Sequence, residues 1–285
     1  MSVAAERIAV RRRIGVAGRA WAFVRHHVLT VYAALAFFYL LLPIAVVVLF
    51  SFNNARGRFN FTWQGFTLKN WENPFGYPGV RDAISVSLQI AVISSIVATA
   101  LGTLIALALV RYGFRGRGAT NLLIFMPMAT PEIVMGASLL TLFLNFGVPL
   151  GFRTILLAHI MFNISYVVVT VKARLVGFDR HLEEAAMDLG ANEFTTFSRV
   201  TLPLIAPGIL AAMLLAFALS IDDFVITYLN SGAVVTFPLF VWGAARVAVP
   251  PQINVIGTAI FFIAVFLMLA NVALQWRRTP KGATA

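Results

Sequence analysis

Cysteine is missing from this sequence of 285 residues. That removes disulfide scaffolds, thiolate metal sites and cysteine nucleophiles, and says nothing of the redox compartment. Charge is scarce as well: Asp, Glu, Lys and Arg make up 12%, against about 25% in soluble globular domains. Hydrophobic residues take their place at 60%, where about 45–50% is usual. These two departures exclude an ordinary water-soluble enzyme, a disordered regulator and a nucleic-acid-binding module. Acid is scarcer than base, with 11 Asp and Glu against 22 Lys and Arg, a net charge of +11. In so apolar a chain that surplus marks cytoplasmic loops rather than a polyanionic partner. The four histidines, His26, His27, His159 and His181, form no metal-like cluster, and no acid/base pair has catalytic spacing. There is no G-x-x-x-x-G-K-[ST] run, and none of Lys69, Lys172 and Lys281 follows a glycine. The chain therefore has no such route to hydrolysing ATP.

What is present is membrane-spanning sequence, and the expected fold class is an all-α polytopic membrane protein. A spanning helix needs about 20 apolar residues. Six runs qualify: Val28–Phe52, Ala83–Val110, Ala119–Phe146, Thr154–Val171, Leu204–Leu229 and Ile253–Trp276. The expected organisation is a basic cytoplasmic tail over 1–27, a transmembrane domain over 28–276 and a short tail over 277–285. Within the domain, about 172–203 forms the largest cytoplasmic loop. With the N-terminus inside, 16 cations fall on inner segments and 6 on outer ones. Positive charge resists translocation, so both termini are expected to be cytoplasmic.

Small residues recur at every fourth position in two runs: Ser94, Ala98, Gly102, Ala106 and Gly208, Ala212, Ala216, Ser220. Such stripes bring helix backbones together in lipid; the second leaves a solute path as an alternative. Glu132, Asp222 and Asp223 lie inside apolar runs with no deep Lys or Arg beside them. An ionised group at the bilayer centre costs about 2.5–3.5 kcal/mol, so such groups usually face a cavity and mark a pathway. They would form a site for something positive, unless they are protonated or capped by nearby hydroxyls and backbone. On a continuous helix Asp222 and Asp223 diverge by about 100°. Asp223 then joins Ser220 and Thr227 in one polar stripe and is the better cavity candidate. Pro127 and Pro131 should kink the third run near Glu132. Trp63, in an aromatic outer loop, suits either a cation or an interfacial belt or docking surface.

The cytoplasmic segment from Phe178 to Gly190 reads as one short helix. Asp179 caps it, Glu183 and Glu184 sit early where anions are favoured, and Gly190 ends it. Leu182, Ala185, Ala186 and Leu189 share a face. Asn192 caps a second helix to about Val200, which Pro203 should break. The acidic polar face argues against an interfacial lipid helix, and the elbow has the shape of a docking element.

Glu184-Ala-Ala-Met-Asp-Leu-Gly190, followed by Val200 and Leu202-Pro203, resembles the EAA loop of ABC-importer permeases. Val200 stands where isoleucine is commoner. Ser51-Phe-Asn53, Trp63-Gln-Gly-Phe66, Arg111-Tyr-Gly-Phe-Arg-Gly116, Pro131-Glu-Ile-Val134, Phe178-Asp179, Leu219-Ser-Ile-Asp-Asp223 and Pro251-Gln-Ile-Asn254 resemble the spermidine/putrescine permeases of the PotC/PotI type. The resemblance implies a type I importer (MetI-like) fold in a bacterial inner membrane. It also implies a second, homologous permease subunit, two ATPase subunits holding ATP and magnesium, and an extracytoplasmic solute-binding protein. No cofactor is expected in this chain itself, and no nucleic-acid partner. Family residues linked to polyamine passage fall on Trp63, Glu132, Glu184, Ser220, Asp222 and Asp223, although the family more often has Asp at position 132. Glu184, Ala185, Ala186, Gly190, Leu202 and Pro203 would serve ATPase coupling. Tyr228 to Thr236 departs from the family's Gly-Pro-containing loop. The rivals are an importer of another solute, such as an amino acid or iron complex, and a stand-alone cation-coupled transporter.

Overall fold

The computed structural model describes residues 16–57, 59–247 and 249–278. The expected basic tail through residue 15, Arg58 and the C-terminal tail with Lys281 lie outside the described residues. The chain divides into two units, Met1–Pro74 with Val249–Ala285, and Phe75–Ala248.

In the first unit, α1 (Val16–Ser51) begins upstream of the apolar run and packs on α12 (Pro251–Arg278). Much of α1 is uncovered apolar surface, including Leu35, Phe37, Phe38 and Leu40. That suits a helix whose solvent is lipid rather than water. The loop after α1 contains the short helix α2 (Lys69–Glu72) and is organised around the buried Asn53. Asn53 Nδ2 donates to Asn60 Oδ1 (2.6 Å) and to the Thr62 carbonyl (2.7 Å), and its Oδ1 accepts from Gln64 N–H (2.7 Å). Phe52 stacks between Phe66 and Trp71, at ring separations of 5.6 and 5.5 Å. A buried polar group stripped of its partner costs about 1–3 kcal/mol. Asn53→Ala strands at least Gln64 N–H and Asn60, so it should speed proteolytic cleavage of this loop several-fold. Unchanged cleavage kinetics would reject the central role of Asn53.

The second unit is built on three apolar helices, α3 (Val80–Arg111), α6 (Phe152–Val176) and α9 (Leu202–Asp222), each packed on the other two. The small-residue stripe of α3 is buried throughout, and a Cβ on Gly102 would meet Val167 Cγ1 at 2.6 Å. The second stripe is also a contact surface: Ala212, Ala216 and Ser220 are buried, and a Cβ on Gly208 would meet the Arg174 side chain at 2.8 Å. This packing replaces the solute-path alternative. Ser94 of one stripe donates to Ser220 of the other at 3.0 Å.

Three sequence expectations are refined or corrected here. The expected kink near Glu132 is a full break, with α4 (Arg117–Ala129) and α5 (Glu132–Asn145) meeting at a bend of 108°, whereas Pro127 stays inside α4. Pro131 has no N–H and excludes Thr130 from helical backbone; Thr130 and Pro131 are both extended, with ψ of 133°. The fifth run also breaks, at Asp223 (φ −62°, ψ 124°), before α10 (Val225–Asn230). Pro203, by contrast, breaks nothing. The elbow helices α7 (His181–Asp188) and α8 (Glu193–Thr196) lead into a π-helical turn, Phe197–Thr201, that continues directly into α9. Leu202 N–H reaches the Phe197 carbonyl there. The wider turn absorbs the donor that proline lacks.

Among the described residues four helices are long and apolar enough to cross a membrane, or five if the bent pair counts as one span. The sixth expected run lies in α12, where Pro251–Ile263 is the apolar portion recognised among the described residues. A further amphipathic helix, α11 (Phe237–Val247), lies between α10 and α12.

Candidate functional site

Asp223 sits in the gap between α9 and α10, with its side chain only 6% exposed. Thr227 donates to its Oδ2 twice, from N–H and from the hydroxyl, each at 2.8 Å. His159 of α6, 4% exposed, brings Nε2 to 3.3 Å from the same oxygen. The imidazole also lies 2.9 Å from Thr227 Oγ1 through Nε2 and 2.7 Å from Ser220 Oγ through Nδ1. Ser220, Asp223 and Thr227 thus come together as expected, but around a helix break rather than along a continuous stripe. Among the described residues no Lys or Arg reaches Asp223, and the alternative of capping by hydroxyl and backbone holds for it, with an imidazole added.

Asp222 closes α9 and is exposed, unlike its neighbour. The break removes the helical geometry that made Asp223 the more accessible of the two. Glu132 is exposed at the first position of α5. The helix it opens packs tightly on α10: a Cβ on Gly136 would meet Leu229 Cδ1 at 2.9 Å, and Asn230 Nδ2 donates to the Gly136 carbonyl at 3.2 Å. Both acid-bearing breaks are therefore tied to α10. Trp63 belongs to the other unit, is half exposed, and meets Phe50 edge-on at 6.5 Å.

The elbow follows its expected caps closely. Asp179 Oδ1 accepts from His181 N–H at 3.0 Å, Asn192 Oδ1 accepts from Thr195 N–H at 2.8 Å, and Gly190 turns the chain at φ +89°. Its apolar residues are uncovered in this chain; Leu189 is 90% exposed and Phe194 78%. Ala185 is exposed and Ala186 half-buried, while Glu184 pairs with His181 at 3.1 Å on the surface. Leu202 and Pro203, also exposed, begin α9.

Two groups of partners escaped the sequence reading. His159 was weighed only as a metal ligand; its position inside an apolar run was the available signal, since an imidazole there requires polar partners. The other is a clasp under the elbow. Arg111, at the end of α3, pairs with Glu183 of α7 and donates to Thr201 Oγ1 (3.3 Å), while Thr201 donates to Glu183. Arg180 Nη2 adds a bond to the Val110 carbonyl at 3.0 Å.

Residues 98–278 match the family described as binding-protein-dependent transport system inner membrane component. The chain is 39% identical over 247 residues to the spermidine/putrescine transport system permease protein PotC of Escherichia coli (strain K12), covering 86% of this chain and 92% of that one. It is 37% identical over 249 residues to the putrescine transport system permease protein PotI of the same strain, covering 82% and 88%. Among solved structures, a bacterial alginate ABC transporter in complex with an alginate pentasaccharide-bound periplasmic protein shares the fold. Its TM-score is 0.59 at 17% identity, over 91% of this chain and 97% of that chain. Helices that bury small-residue stripes in one another, an exposed elbow and this similarity agree: the chain belongs to the multi-pass inner-membrane permeases of binding-protein-dependent transport systems.

Proposed function

We propose that this permease carries polyamines into the cytoplasm as one of two homologous membrane subunits of an ATP-driven importer. Two ATPase subunits dock on the elbow and supply ATP hydrolysis, and an extracytoplasmic solute-binding protein delivers the cargo. One permease domain spans about 28–276, with both termini cytoplasmic, as the 16 to 6 distribution of cations favours. The uncovered Leu189 and Phe194 beside Ala185 and Ala186 support docking at the elbow.

The observation that carries the cargo reading is the position of the three acids: Glu132, Asp222 and Asp223 all stand at helix breaks inside apolar runs. Non-helical backbone at membrane depth is tolerated where it is buried in protein or lines a water-filled cavity. Acids at such breaks offer oxygen ligands that partly replace the water around an ammonium group. The relatives named above carry spermidine or putrescine in their names, which is the cargo this chemistry suits. Glu132 and Asp222, being exposed, would meet the cargo first, and Asp223 beside Ser220 follows. Trp63 would line the outer approach. Movement proceeds by alternating access, with the spans re-angled when the ATPases close.

The test is uptake of labelled putrescine, spermidine and an amino-acid control by cells lacking and regaining this subunit. Restoration of polyamine uptake alone is expected. Glu132→Gln and Asp222→Asn should each reduce that uptake about tenfold, the effect of losing roughly 1.4 kcal/mol of cation stabilisation in the rate-limiting step, at unchanged subunit assembly. Uptake of the control instead, or full polyamine uptake by both variants, overturns the reading.

A further inference from the structure

We propose that His159 is the positioning residue of the cation site: it holds Asp223 by an uncharged hydrogen-bonding network and leaves the carboxylate's charge for the cargo. This rests on the polyamine reading above.

The network crosses three long helices and the break. Ser94 of α3 donates to Ser220 of α9, and Ser220 lies 2.7 Å from His159 Nδ1 on α6. His159 Nε2 lies 2.9 Å from Thr227 Oγ1, whose hydroxyl donates to Asp223 Oδ2. The donors and acceptors fit one consistent direction. Thr227 spends its proton on Asp223, so its oxygen accepts from Nε2–H. In the neutral imidazole proposed here, with its proton on Nε2, Nδ1 accepts from the Ser220 hydroxyl and Ser220 accepts from Ser94, an arrangement these partners accommodate. His159 and Asp223 are both almost wholly buried.

The electrostatics decide the role. A lysine or arginine at position 159 would pair with Asp223 and cancel the charge that attracts an ammonium. A neutral donor fixes the carboxylate without cancelling it. The geometry adds a second feature: the contacts from Thr227 N–H, Thr227 Oγ1 and His159 Nε2 all converge on Oδ2. None of them engages Oδ1. One oxygen is thereby anchored to the protein, and the other is oriented by that anchor for a visiting cation. Because Ser220 and Thr227 lie on opposite sides of the break and both touch the imidazole, His159 also fixes the angle at which α9 gives way to α10.

The proposal separates charge from packing. In the whole importer, reconstituted with its partner subunits and binding protein, His159→Gln keeps an uncharged donor of similar reach and should retain polyamine transport within about threefold of the parent. His159→Leu keeps volume but no donor and should lose about tenfold. His159→Lys supplies a permanent cation and should fall furthest, to the level of Asp223→Asn. A double variant, His159→Leu with Asp223→Asn, should be no worse than Asp223→Asn alone, since a residue acting through another adds nothing once that other is gone. Subunit assembly is checked for each by co-purification, and only assembled variants are scored. Equal transport by the Gln, Leu and Lys variants, or additive losses in the double variant, overturns the positioning role. If Asp223→Asn, Asp222→Asn and Glu132→Gln all transport normally, the cation-site reading itself fails, a result distinguishable from the failure of His159 alone.

Discussion

Replacing Gly102 with leucine should abolish accumulation of folded permease. Helices α3 and α6 make the most extensive contact in the second unit, and Gly102 stands in that contact against Val167 and Ile164. Even one Cβ there would lie 2.6 Å from Val167 Cγ1, 2.8 Å from Val167 Cβ and 3.3 Å from the Ile164 carbonyl. The first two atoms belong to a stiff β-branched side chain with little room to turn. The third belongs to backbone. Overpacking a well-filled interior by a methyl group costs about 1–3 kcal/mol, and leucine adds three further carbons to the same gap. In lipid no hydrophobic gain offsets the separation, because the helices associate by close packing itself. Gly102→Ala should therefore give a folded but less stable protein, and Gly102→Leu none. Val167→Ala removes Cγ1, the nearest clashing atom, while leaving Cβ, and should recover part of the Gly102→Ala loss. The measurement is thermal unfolding of the purified membrane protein in detergent, followed for the two single variants and the pair. Additive destabilisation in the pair would reject this contact as the cause.

Breaking the clasp between Arg111 and Glu183 should uncouple ATP hydrolysis from transport while leaving the subunits assembled. The clasp joins the C-terminal end of α3, the elbow helix α7 and the π-helical turn that begins α9. On the docking proposed above, a push on the elbow would reach two of the three helices that form the core of the second unit. Without the Arg111–Glu183 pair, the elbow remains linked to α9 through the chain, and its side-chain hold on α3 is reduced to the bond from Arg180 to the Val110 carbonyl. Arg111→Ala and Glu183→Ala should each lower transport per ATP consumed by about tenfold, the order of a lost coupling energy of 1–2 kcal/mol. The reciprocal exchange, Arg111→Glu with Glu183→Arg, should restore part of it, as expected for residues that act as a pair. The readout is ATPase stimulation by loaded binding protein in proteoliposomes, set against cargo delivered. Normal stoichiometry in both alanine variants would remove the clasp from the transmission route.

Local signals carried the elbow. Asp179, Gly190 and Asn192 act within a few residues of the backbone they cap, so their sequence spacing determines their partners. The small-residue stripes were legible for a similar reason, since a four-residue spacing puts side chains on one helix face. The bend before Glu132 was legible in kind but not in size. Proline removes a donor and restricts its predecessor, yet the resulting 108° depends on what the two halves pack against. The break at Asp223 was hidden. Leu219 to Val225 contains neither proline nor glycine, and its apolar flanks read as one uninterrupted span. Its cause is tertiary and partly electrostatic: Asp223 caps the start of α10 through Thr227, and His159 reaches it from another helix. Pro203 failed in the opposite sense, because the π-helical turn accommodates a residue that normally ends a helix.

Stopping α9 at Asp222 has an effect that no side chain there controls. The peptide dipoles of a helix add to about half a negative elementary charge at its C-terminus. In open water that pole is screened. Here it lies at Asp222 and beside the buried Asp223, and on the proposed cargo reading the terminal carbonyls of α9 would add to the field that a cation meets. Mutagenesis of the carboxylates leaves this contribution in place, so their neutralisation should weaken the cation's attraction in steps, with a floor set by the main chain.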